Sequence, residues 1–274
     1  MTTRIRTAFD QAAAESRAAL VVYICAGDPD LPTTLKLLTA VSEAGADVIE
    51  LGVPFSDPTA DGIVIQRASE RALRAGTTLK GVLDVVRQAR QSISTPILLF
   101  GYYNPLLAYG TQRIVEEAKA AGVDGFLVVD LPPDSDEPLS TLVAQHGLAY
   151  IPLVAPTSSQ ERVQLACDLC NGFVYYVSLT GVTGSSDANL EKAAGQAAAI
   201  AARAHVPVAV GFGIKTPTDV ATVARQAQGV VVGSAVVSLM EHAVSPAAGI
   251  EAVAAFIRQL KSATGRRAAG PAGT

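Results

Sequence analysis

Short apolar runs alternate with longer alanine-rich stretches along this chain, and this alternation constrains its fold more than any other feature. The runs occupy residues 20–25, 47–51, 96–101, 125–129, 149–153, 173–177, 207–211 and 229–233. They are continuous in Val, Ile and Leu, as is typical of parallel strands covered on both faces. The stretches between them show helical periodicity at residues 31–44, 62–75, 79–92, 112–121, 136–146, 158–170, 190–204, 216–226 and 247–262. Eight strand-then-helix units predict an α/β fold, a single (β/α)8 TIM barrel with additional short helices.

A doubly wound open sheet is the competing architecture. It predicts a Gly-x-Gly-x-x-Gly turn after the first strand, and residues 26–29 (Ala-Gly-Asp-Pro) do not supply one. Because (β/α)8 barrels reach about 250 residues as one domain, we expect a single domain over residues 1–262. The last stretch, residues 263–274, is rich in Ala, Gly and Arg and is predicted to be a disordered tail.

Charge, hydropathy and cysteine content narrow the function classes. The net charge is −4 and no run of Lys or Arg exceeds two residues, which disfavours nucleic acid and anionic membranes as partners. The absence of a long apolar stretch and of a signal-peptide pattern predicts a cytoplasmic protein. Cys167 and Cys170 form a C-x-x-C pattern, but they lie late in a helical stretch without further ligands of matching spacing. We therefore interpret them as small buried side chains and predict no metal site.

One acid, Glu50, lies inside an apolar run that otherwise reads as a buried strand. Desolvation without a charge partner raises the pKa of a carboxyl group, so such an acid can hold and deliver a proton near neutral pH. A buried structural ion pair is the alternative. The loop that follows carries Asp57 and Asp61 just before a helical pattern, which either could cap. We expect Glu50 and Asp61 to flank one pocket at the carboxyl ends of the strands.

Glycine motifs at the ends of the last two strands predict an anion site. Residues 211–213 (Gly-Phe-Gly) and 233–235 (Gly-Ser-Ala) each stand directly before a helical pattern. Glycine allows backbone N–H groups to approach an anion, and a helix amino terminus carries partial positive charge. Two tight turns are the plainer explanation, but the pairing of the motifs at these strands favours phosphate.

The segment after the sixth strand, residues 178–189, is longer than a barrel connection needs. Gly181 and Gly184 offer hinge positions, and Thr180 or Thr183 could supply hydroxyl contacts. We expect a lid that closes over a phosphorylated substrate, with a passive mobile loop as the alternative.

Seven segments together resemble the tryptophan synthase alpha subunit family. They are residues 50–62 (Glu-Leu-Gly-Val-Pro-Phe-Ser-Asp-Pro-Thr-Ala-Asp-Gly), 102–105, 130–133, 155–157, 181–184, 211–213 and 233–235, and the resemblance spans about residues 15–262. It implies cleavage of indole-3-glycerol phosphate to indole and D-glyceraldehyde 3-phosphate in tryptophan biosynthesis. It also implies that indole passes to a beta subunit in an αββα heterotetramer. Pyridoxal phosphate would belong to that partner, and no cofactor is implied for this chain.

The resemblance further implies roles for single residues. Glu50 matches an acid–base glutamate, Asp61 matches an aspartate that binds the indole N–H, and Tyr175 would lie beside the reacting centre. Phosphate would be held by the following residues: Gly184, Gly213, Gly233 and Ser234. The indole ring would pack among the following residues: Tyr23, Ile65, Phe100, Leu127, Val129 and Phe212. Plain barrel core is the competing explanation for these apolar residues, except for Phe212, which stands between two glycines.

Three departures from the family pattern and three other functions stay open. Tyr23 stands where Phe is usual, Phe100 where a smaller residue is common, and Leu179 where Arg is frequent, which predicts an altered pocket wall. The chain could be a stand-alone lyase that releases indole, or a non-catalytic activator of a beta subunit. Another phosphate-binding barrel, such as an isomerase of phosphoribosyl intermediates, would not explain residues 50–62.

Overall fold

The computed structural model describes residues 3–137, 139–177, 186–204, 206–211 and 213–266, with only the backbone of residues 186 and 187. Within these ranges nine strands form one parallel sheet of hydrogen-bonded order β5-β4-β3-β2-β1-β9-β8-β7-β6. The strands are β1 (Ala19–Cys25), β2 (Val48–Gly52), β3 (Ile97–Gly101), β4 (Gly125–Val128), β5 (Ala149–Tyr150), β6 (Leu153–Val154), β7 (Val174–Val177), β8 (Val208–Gly211) and β9 (Gly229–Val232).

The two ends of this sheet are halves of one interrupted strand. Only Ile151 and Pro152 separate β5 from β6, and proline cannot donate to a ladder. On one side, the Ile151 N–H donates to the Phe126 carbonyl, and on the other the Tyr175 N–H donates to the Pro152 carbonyl, both at 2.9 Å. The sheet therefore closes on itself, and the predicted (β/α)8 barrel with eight strands is confirmed.

Twelve helices accompany the strands within the described ranges. They are α1 (Arg4–Ala14), α2 (Leu31–Glu43), α3 (Ile63–Arg74), α4 (Leu79–Ala89), α5 (Tyr103–Tyr109), α6 (Thr111–Ala121), α7 (Leu139–Gln145), α8 (Gln160–Leu169), α9 (Ser186–Ala204), α10 (Pro217–Ala224), α11 (Ser234–Glu241) and α12 (Pro246–Ser262). In these parts of the chain, every helix is too short or too polar to cross a membrane.

Alternate strand residues divide between two apolar clusters, as the two faces of a strand require. Leu20, Val22 and Ile24 of β1 belong to the larger cluster, in which the helices cover the sheet. Val21 and Tyr23 belong to the smaller cluster, in which the strands face each other inside the barrel. Polar side chains inside the barrel are therefore exceptional, and they mark the site described below.

Helix α1 closes the amino-terminal end of the barrel and was not predicted. Its Ile5, Phe9 and Ala12 are buried, and the Phe9 ring stacks on Phe173 with centroids 5.0 Å apart. Thr3 caps the helix by accepting a hydrogen bond from the Arg6 N–H. Helix α1 thus covers one end of the barrel, and the cavity opens at the opposite end.

Disorder was predicted from residue 263 onward, and this is wrong for residues 263–266. Thr264 is fully buried, and its carbonyl accepts the Ala18 N–H at 3.0 Å. Gly265 forms an antiparallel bridge with Arg17. These contacts attach the segment to the chain just before β1. Residues 267–274 lie outside the described ranges.

Candidate active site

A cavity opens at the carboxyl ends of the strands, where TIM-barrel sites lie. It is lined by Tyr23, Glu50, Asp61, Gly62, Ile65, Phe100, Tyr175, Gly213, Ile214, Val231, Gly233 and Ser234. Its volume is about 140 Å³. A single buried water needs only about 10–15 Å³, so this space suits a small organic molecule.

Glu50 is a buried carboxyl group in the wall of this cavity. It lies in the middle of β2, opposite Tyr23 in the register with β1, and is 1% exposed. Its Oε1 atom has no hydrogen-bond partner among the described residues, so nothing there supports the ion-pair alternative. Burial raises the pKa of Glu50 to about 8. This side chain therefore holds a proton at neutral pH and presents it to the cavity.

Asp61 ends the loop between β2 and α3 and differs from Glu50 in its surroundings. The Tyr102 hydroxyl donates a hydrogen bond of 3.0 Å to Asp61 Oδ2. Burial raises the pKa of Asp61 to about 6, and the hydrogen bond from Tyr102 works against that rise. At neutral pH one acid of the cavity is therefore protonated and the other is ionised.

Neither candidate aspartate caps α3 in the described structure. Gly62 occupies the N-cap position of α3, and no side chain caps the helix there. Asp57 instead accepts a hydrogen bond of 2.5 Å from the Ser56 hydroxyl on the exposed loop. The carboxylate of Asp61 is thus directed to Tyr102 and the cavity rather than to the helix backbone.

Aromatic and aliphatic side chains form the apolar wall. Tyr23 and Phe100 pack edge to face with centroids 5.1 Å apart, and Ile65 completes this side. Leu127 and Val129 belong to the same apolar cluster inside the barrel but do not line the cavity. The structure therefore brings three of the predicted indole contacts together at the cavity and leaves these two outside its lining.

Two tyrosines of the cavity each lie over a glycine of a neighbouring strand. A Cβ atom added to Gly52 would lie 2.1 Å from the Tyr23 hydroxyl oxygen, and one added to Gly211 would lie 1.9 Å from that of Tyr175. Burial raises the pKa of both tyrosines well above the ordinary value. Both hydroxyl groups are therefore neutral at any physiological pH.

The opposite side of the cavity is built from backbone. Gly213 has φ +78°, a left-handed conformation that favours glycine. Gly233 occupies the N-cap position of α11. Because glycine has no side chain to accept a hydrogen bond, the backbone N–H groups of the first turn of α11 are not capped by residue 233. Ser234 is the first residue of that helix and also lines the cavity. This combination suits an anion.

Several predicted residues lie outside the described ranges. They are Phe212, Leu179, Thr180, Gly181, Thr183 and Gly184. Conversely, Gly62, Ile214 and Val231 line the cavity but were not predicted as contacts, because glycine and aliphatic side chains carry no reactive group. In the sequence Tyr102 stands out only as part of the motif at residues 102–105, and its hydrogen bond to Asp61 has no signature there.

Metal-binding side chains do not gather in the parts of the chain that the structure describes. There, no three His, Cys, Asp or Glu residues are arranged to hold an ion. Cys167 and Cys170 are buried free thiols at the end of α8, as their pattern predicted.

Known proteins with similar sequences belong to one family. The sequence profile of the family described as tryptophan synthase alpha chain matches residues 9–265. The tryptophan synthase alpha chain of Geobacter sulfurreducens is 49% identical over 263 residues, which cover 96% of this chain and 99% of that protein. The alpha chain of Geotalea daltonii is also 49% identical, over 87% of this chain and 90% of its own.

Solved structures agree with these sequence relatives. A crystal structure of tryptophan synthase subunit alpha from Legionella pneumophila superposes with a TM-score of 0.89 at 38% identity, covering 96% of this chain and 99% of that one. A crystal structure of tryptophan synthase from M. tuberculosis in an open form superposes with a TM-score of 0.86 at 33% identity, covering 97% and 100%. The cavity, the barrel and the relatives lead to one conclusion: the chain belongs to the tryptophan synthase alpha chain family.

Proposed function

We propose that Glu50 and Asp61 divide the acid–base work of the reaction of this family. That reaction cleaves indole-3-glycerol phosphate to indole and D-glyceraldehyde 3-phosphate in tryptophan biosynthesis. It is a retro-aldol cleavage between indole C3 and the glycerol side chain. It requires a proton at C3, stabilisation of positive charge at the indole nitrogen and removal of the side-chain hydroxyl proton.

Glu50 supplies the proton in this proposal. The single observation that carries the proposal is a buried carboxyl group in the cavity wall whose Oε1 has no hydrogen-bond partner among the described residues. This burial raises the pKa of Glu50 to about 8. A general acid works best when its pKa lies near the working pH. After protonating C3, the Glu50 carboxylate can accept the proton of the side-chain hydroxyl as the carbon–carbon bond breaks and the aldehyde forms. Glu50 then regains its starting state.

Asp61 stabilises the charge at the indole nitrogen. With a pKa of about 6 it is mostly ionised at neutral pH, so it can accept a hydrogen bond from the indole N–H. As C3 gains its proton, positive charge develops on that nitrogen and the interaction strengthens. Two carboxyl groups whose surroundings separate their pKa values are a common basis for assigning acid and base roles.

The remaining cavity residues bind and orient the substrate. Gly213 and Gly233, with the backbone and hydroxyl of Ser234, would receive the phosphate, together with Gly184. The indole ring would pack in the aromatic wall, with Tyr175 beside the reacting carbon and the segment of Thr180, Gly181 and Thr183 as a lid. No metal ion or organic cofactor is needed in this chain for the steps described.

We further propose a tryptophan synthase beta subunit as the partner, in an αββα heterotetramer within the cytoplasm. The family of the chain supports this, and the solved relative from M. tuberculosis is described as tryptophan synthase. Indole released at Glu50 would pass to the pyridoxal phosphate of that partner. The charge balance continues to disfavour nucleic acid and anionic membranes.

Indole release from indole-3-glycerol phosphate tests the proposal. The purified chain is assayed alone and with a tryptophan synthase beta chain, beside Glu50→Gln. Slow cleavage that rises strongly with the beta chain and disappears in the variant supports an alpha subunit. Fast cleavage by the chain alone supports a stand-alone lyase. Absence of cleavage in every mixture rejects both.

A further inference from the structure

Tyr102 connects the reacting end of the cavity to the loop that follows β2. It lies one residue beyond β3 and is 4% exposed. Its hydroxyl donates to Asp61 Oδ2 and accepts from the Ala60 N–H, each at 3.0 Å. Its ring packs against Phe55, with centroids 5.3 Å apart. One side chain therefore contacts the loop at three residues.

We propose that Tyr102 is a positioning residue for the cleavage reaction, which orients the Asp61 carboxylate toward the indole N–H. The proposal rests on the proposed role of Asp61. The hydrogen bond occupies Oδ2, so Oδ1 is left as the acceptor for a ligand. A carboxylate fixed in this way binds a donor without first losing rotational freedom.

Other contacts of Asp61 fix its backbone but not its carboxylate. The Asp61 N–H donates to the Pro58 carbonyl at 3.1 Å, and Gln66 Nε2 donates to the Asp61 carbonyl at 2.8 Å. Within the described ranges, Tyr102 is the one residue whose side chain forms a hydrogen bond with the Asp61 carboxylate. Removal of that hydroxyl should release the carboxylate and deprive the Ala60 N–H of its acceptor, while the contacts with Pro58 and Gln66 keep the Asp61 backbone in place.

The surroundings of Asp61 make the hydroxyl electrostatically important as well. Among the residues that the structure describes, the titratable groups that face it are Tyr23 and Cys25 from β1, Glu50 from β2, Tyr102 after β3 and Tyr175 from β7. None of these groups is a cation. Burial raises the pKa of Asp61, and among the described residues Tyr102 is the group that lowers it. Loss of the hydroxyl should raise this pKa further.

The pH dependence of cleavage in Tyr102→Phe tests the proposal. Phenylalanine keeps the ring against Phe55 and removes only the hydroxyl. We expect the acid limb of the pH profile of kcat/KM to move to higher pH by about one pH unit. At pH 7 kcat/KM should fall by about tenfold, of which the shift accounts for about twofold and the lost orientation of the carboxylate for the rest. Part of this loss should recover at pH 8. The assays are run on the chain alone and with a saturating beta chain.

Tyr103→Phe is the matched control. Tyr103 is the next residue, and its hydroxyl donates to Glu137 at 2.6 Å on the exposed surface, away from the cavity. We expect a pH profile like that of the unchanged protein. Thermal unfolding of both variants shows how much of any loss is structural, because lost stability lowers the amount of active enzyme without moving the acid limb. Tyr102→Leu, which also removes the ring, should show the same shift together with a lower unfolding temperature.

Asp61→Asn separates failure of this inference from failure of the proposed function. If Asp61→Asn is inactive but the acid limb of Tyr102→Phe coincides with that of Tyr103→Phe, Tyr102 does not position Asp61. If Asp61→Asn retains normal cleavage, the role of Asp61 itself is wrong. If Asp61→Asn is inactive and the acid limb of Tyr102→Phe is shifted, the results support both the role of Asp61 and its positioning by Tyr102.

Discussion

Tyr23 lies over Gly52 so closely that a Cβ atom added to the glycine would be 2.1 Å from the tyrosine hydroxyl oxygen. The glycine is the last residue of β2, and the tyrosine comes from the adjacent β1. Tyr23 also packs edge to face against Phe100, with ring centroids 5.1 Å apart, which restricts movement of its ring. The shape of this cavity wall therefore depends on the absence of a side chain at residue 52.

Gly52→Ala should push the Tyr23 ring into the cavity. Overpacking of a tight interior typically displaces side chains at a cost of about 1–3 kcal/mol. We expect the KM for indole-3-glycerol phosphate to rise at least about tenfold, since about 1.4 kcal/mol corresponds to tenfold in affinity. Steady-state kinetics with the variant measures the change.

Gly101→Ala is the control for this substitution. Gly101 is the last residue of β3 and is also buried, but its added Cβ would lie 3.4 Å from Val53 Cβ, an ordinary contact. Its KM should stay near that of the unchanged protein. Tyr23→Phe placed on Gly52→Ala should recover only part of the loss, because the ring carbon Cζ would still be 2.5 Å away. A normal KM in Gly52→Ala would contradict the argument.

Glu50→Gln should abolish cleavage and stabilise the fold. Loss of one general acid–base group typically costs about 10²–10⁴ in rate. The pKa of Glu50 is about 8 in the folded chain against an ordinary 4.5. Between these values the unfolded chain binds fewer protons than the folded one, so the free energy of unfolding falls as pH rises. At about 1.4 kcal/mol per pH unit, this cost approaches about 4 kcal/mol at pH 8.

Chemical denaturation from pH 5 to pH 8 measures this effect. Because glutamine does not titrate, the stability advantage of Glu50→Gln over the unchanged protein should be small at pH 5 and largest at pH 8. Glu251→Gln, an exposed position on α12, serves as the control and should show no such trend. An advantage of Glu50→Gln that does not grow with pH would mean that Glu50 titrates normally.

The barrel was predictable because its signal is local and repeated. Each apolar run is covered on both faces, so it reads as a strand without knowledge of its neighbours. Helix α1 was missed because its burial depends on the stacking of Phe9 on Phe173, which are far apart in the sequence. Helix α5 was missed because Pro105 suggests a turn, although proline is tolerated in the first turn of a helix.

The two acids were predictable for a similar reason, and their environment was not. A carboxyl group within an apolar run stands out in the sequence, so Glu50 could be identified directly. The partner of Asp61 is Tyr102, 41 residues away, and no spacing rule connects them. The packing of Thr264 against the segment before β1 likewise depends on the closed barrel, so the sequence there read as a tail.

The cleavage rate should depend on pH in a bell shape. The proposed mechanism needs Asp61 ionised and Glu50 protonated, and their pKa values are about 6 and about 8. Below pH 6 Asp61 gains a proton, and above pH 8 Glu50 loses its proton, so kcat/KM should be highest between these values. The acid limb should disappear from any residual activity of Asp61→Asn. A rate that climbs steadily through pH 9 would contradict the role of Glu50 as the acid.

A charged cluster joins α3, the helix that follows Asp61, to α11, the helix that begins at Ser234 in the cavity wall. Arg71 of α3 binds both carboxylate oxygens of Asp28 at 2.8 Å, and it also donates to Glu241 of α11 at 2.9 Å. Arg67 binds Glu241 through two further hydrogen bonds. Asp28 is only 5% exposed, so loss of this pairing would leave a buried carboxylate without a counter-charge.

Arg71→Met should therefore destabilise the fold by about 2–3 kcal/mol. Removal of one partner from a buried ion pair costs about 3–5 kcal/mol, whereas an exposed pair contributes about 0–1 kcal/mol. The Arg71 side chain is 30% exposed, so its pair with Asp28 lies between these two cases. Arg162→Met breaks the exposed pair with Asp134 and should cost less than about 0.5 kcal/mol. Adding Asp28→Asn to Arg71→Met should recover part of the loss, because the unpaired charge is then removed. Urea unfolding of the four proteins at pH 7 measures these differences, and equal effects of Arg71→Met and Arg162→Met would show that the cluster does not hold the two helices together.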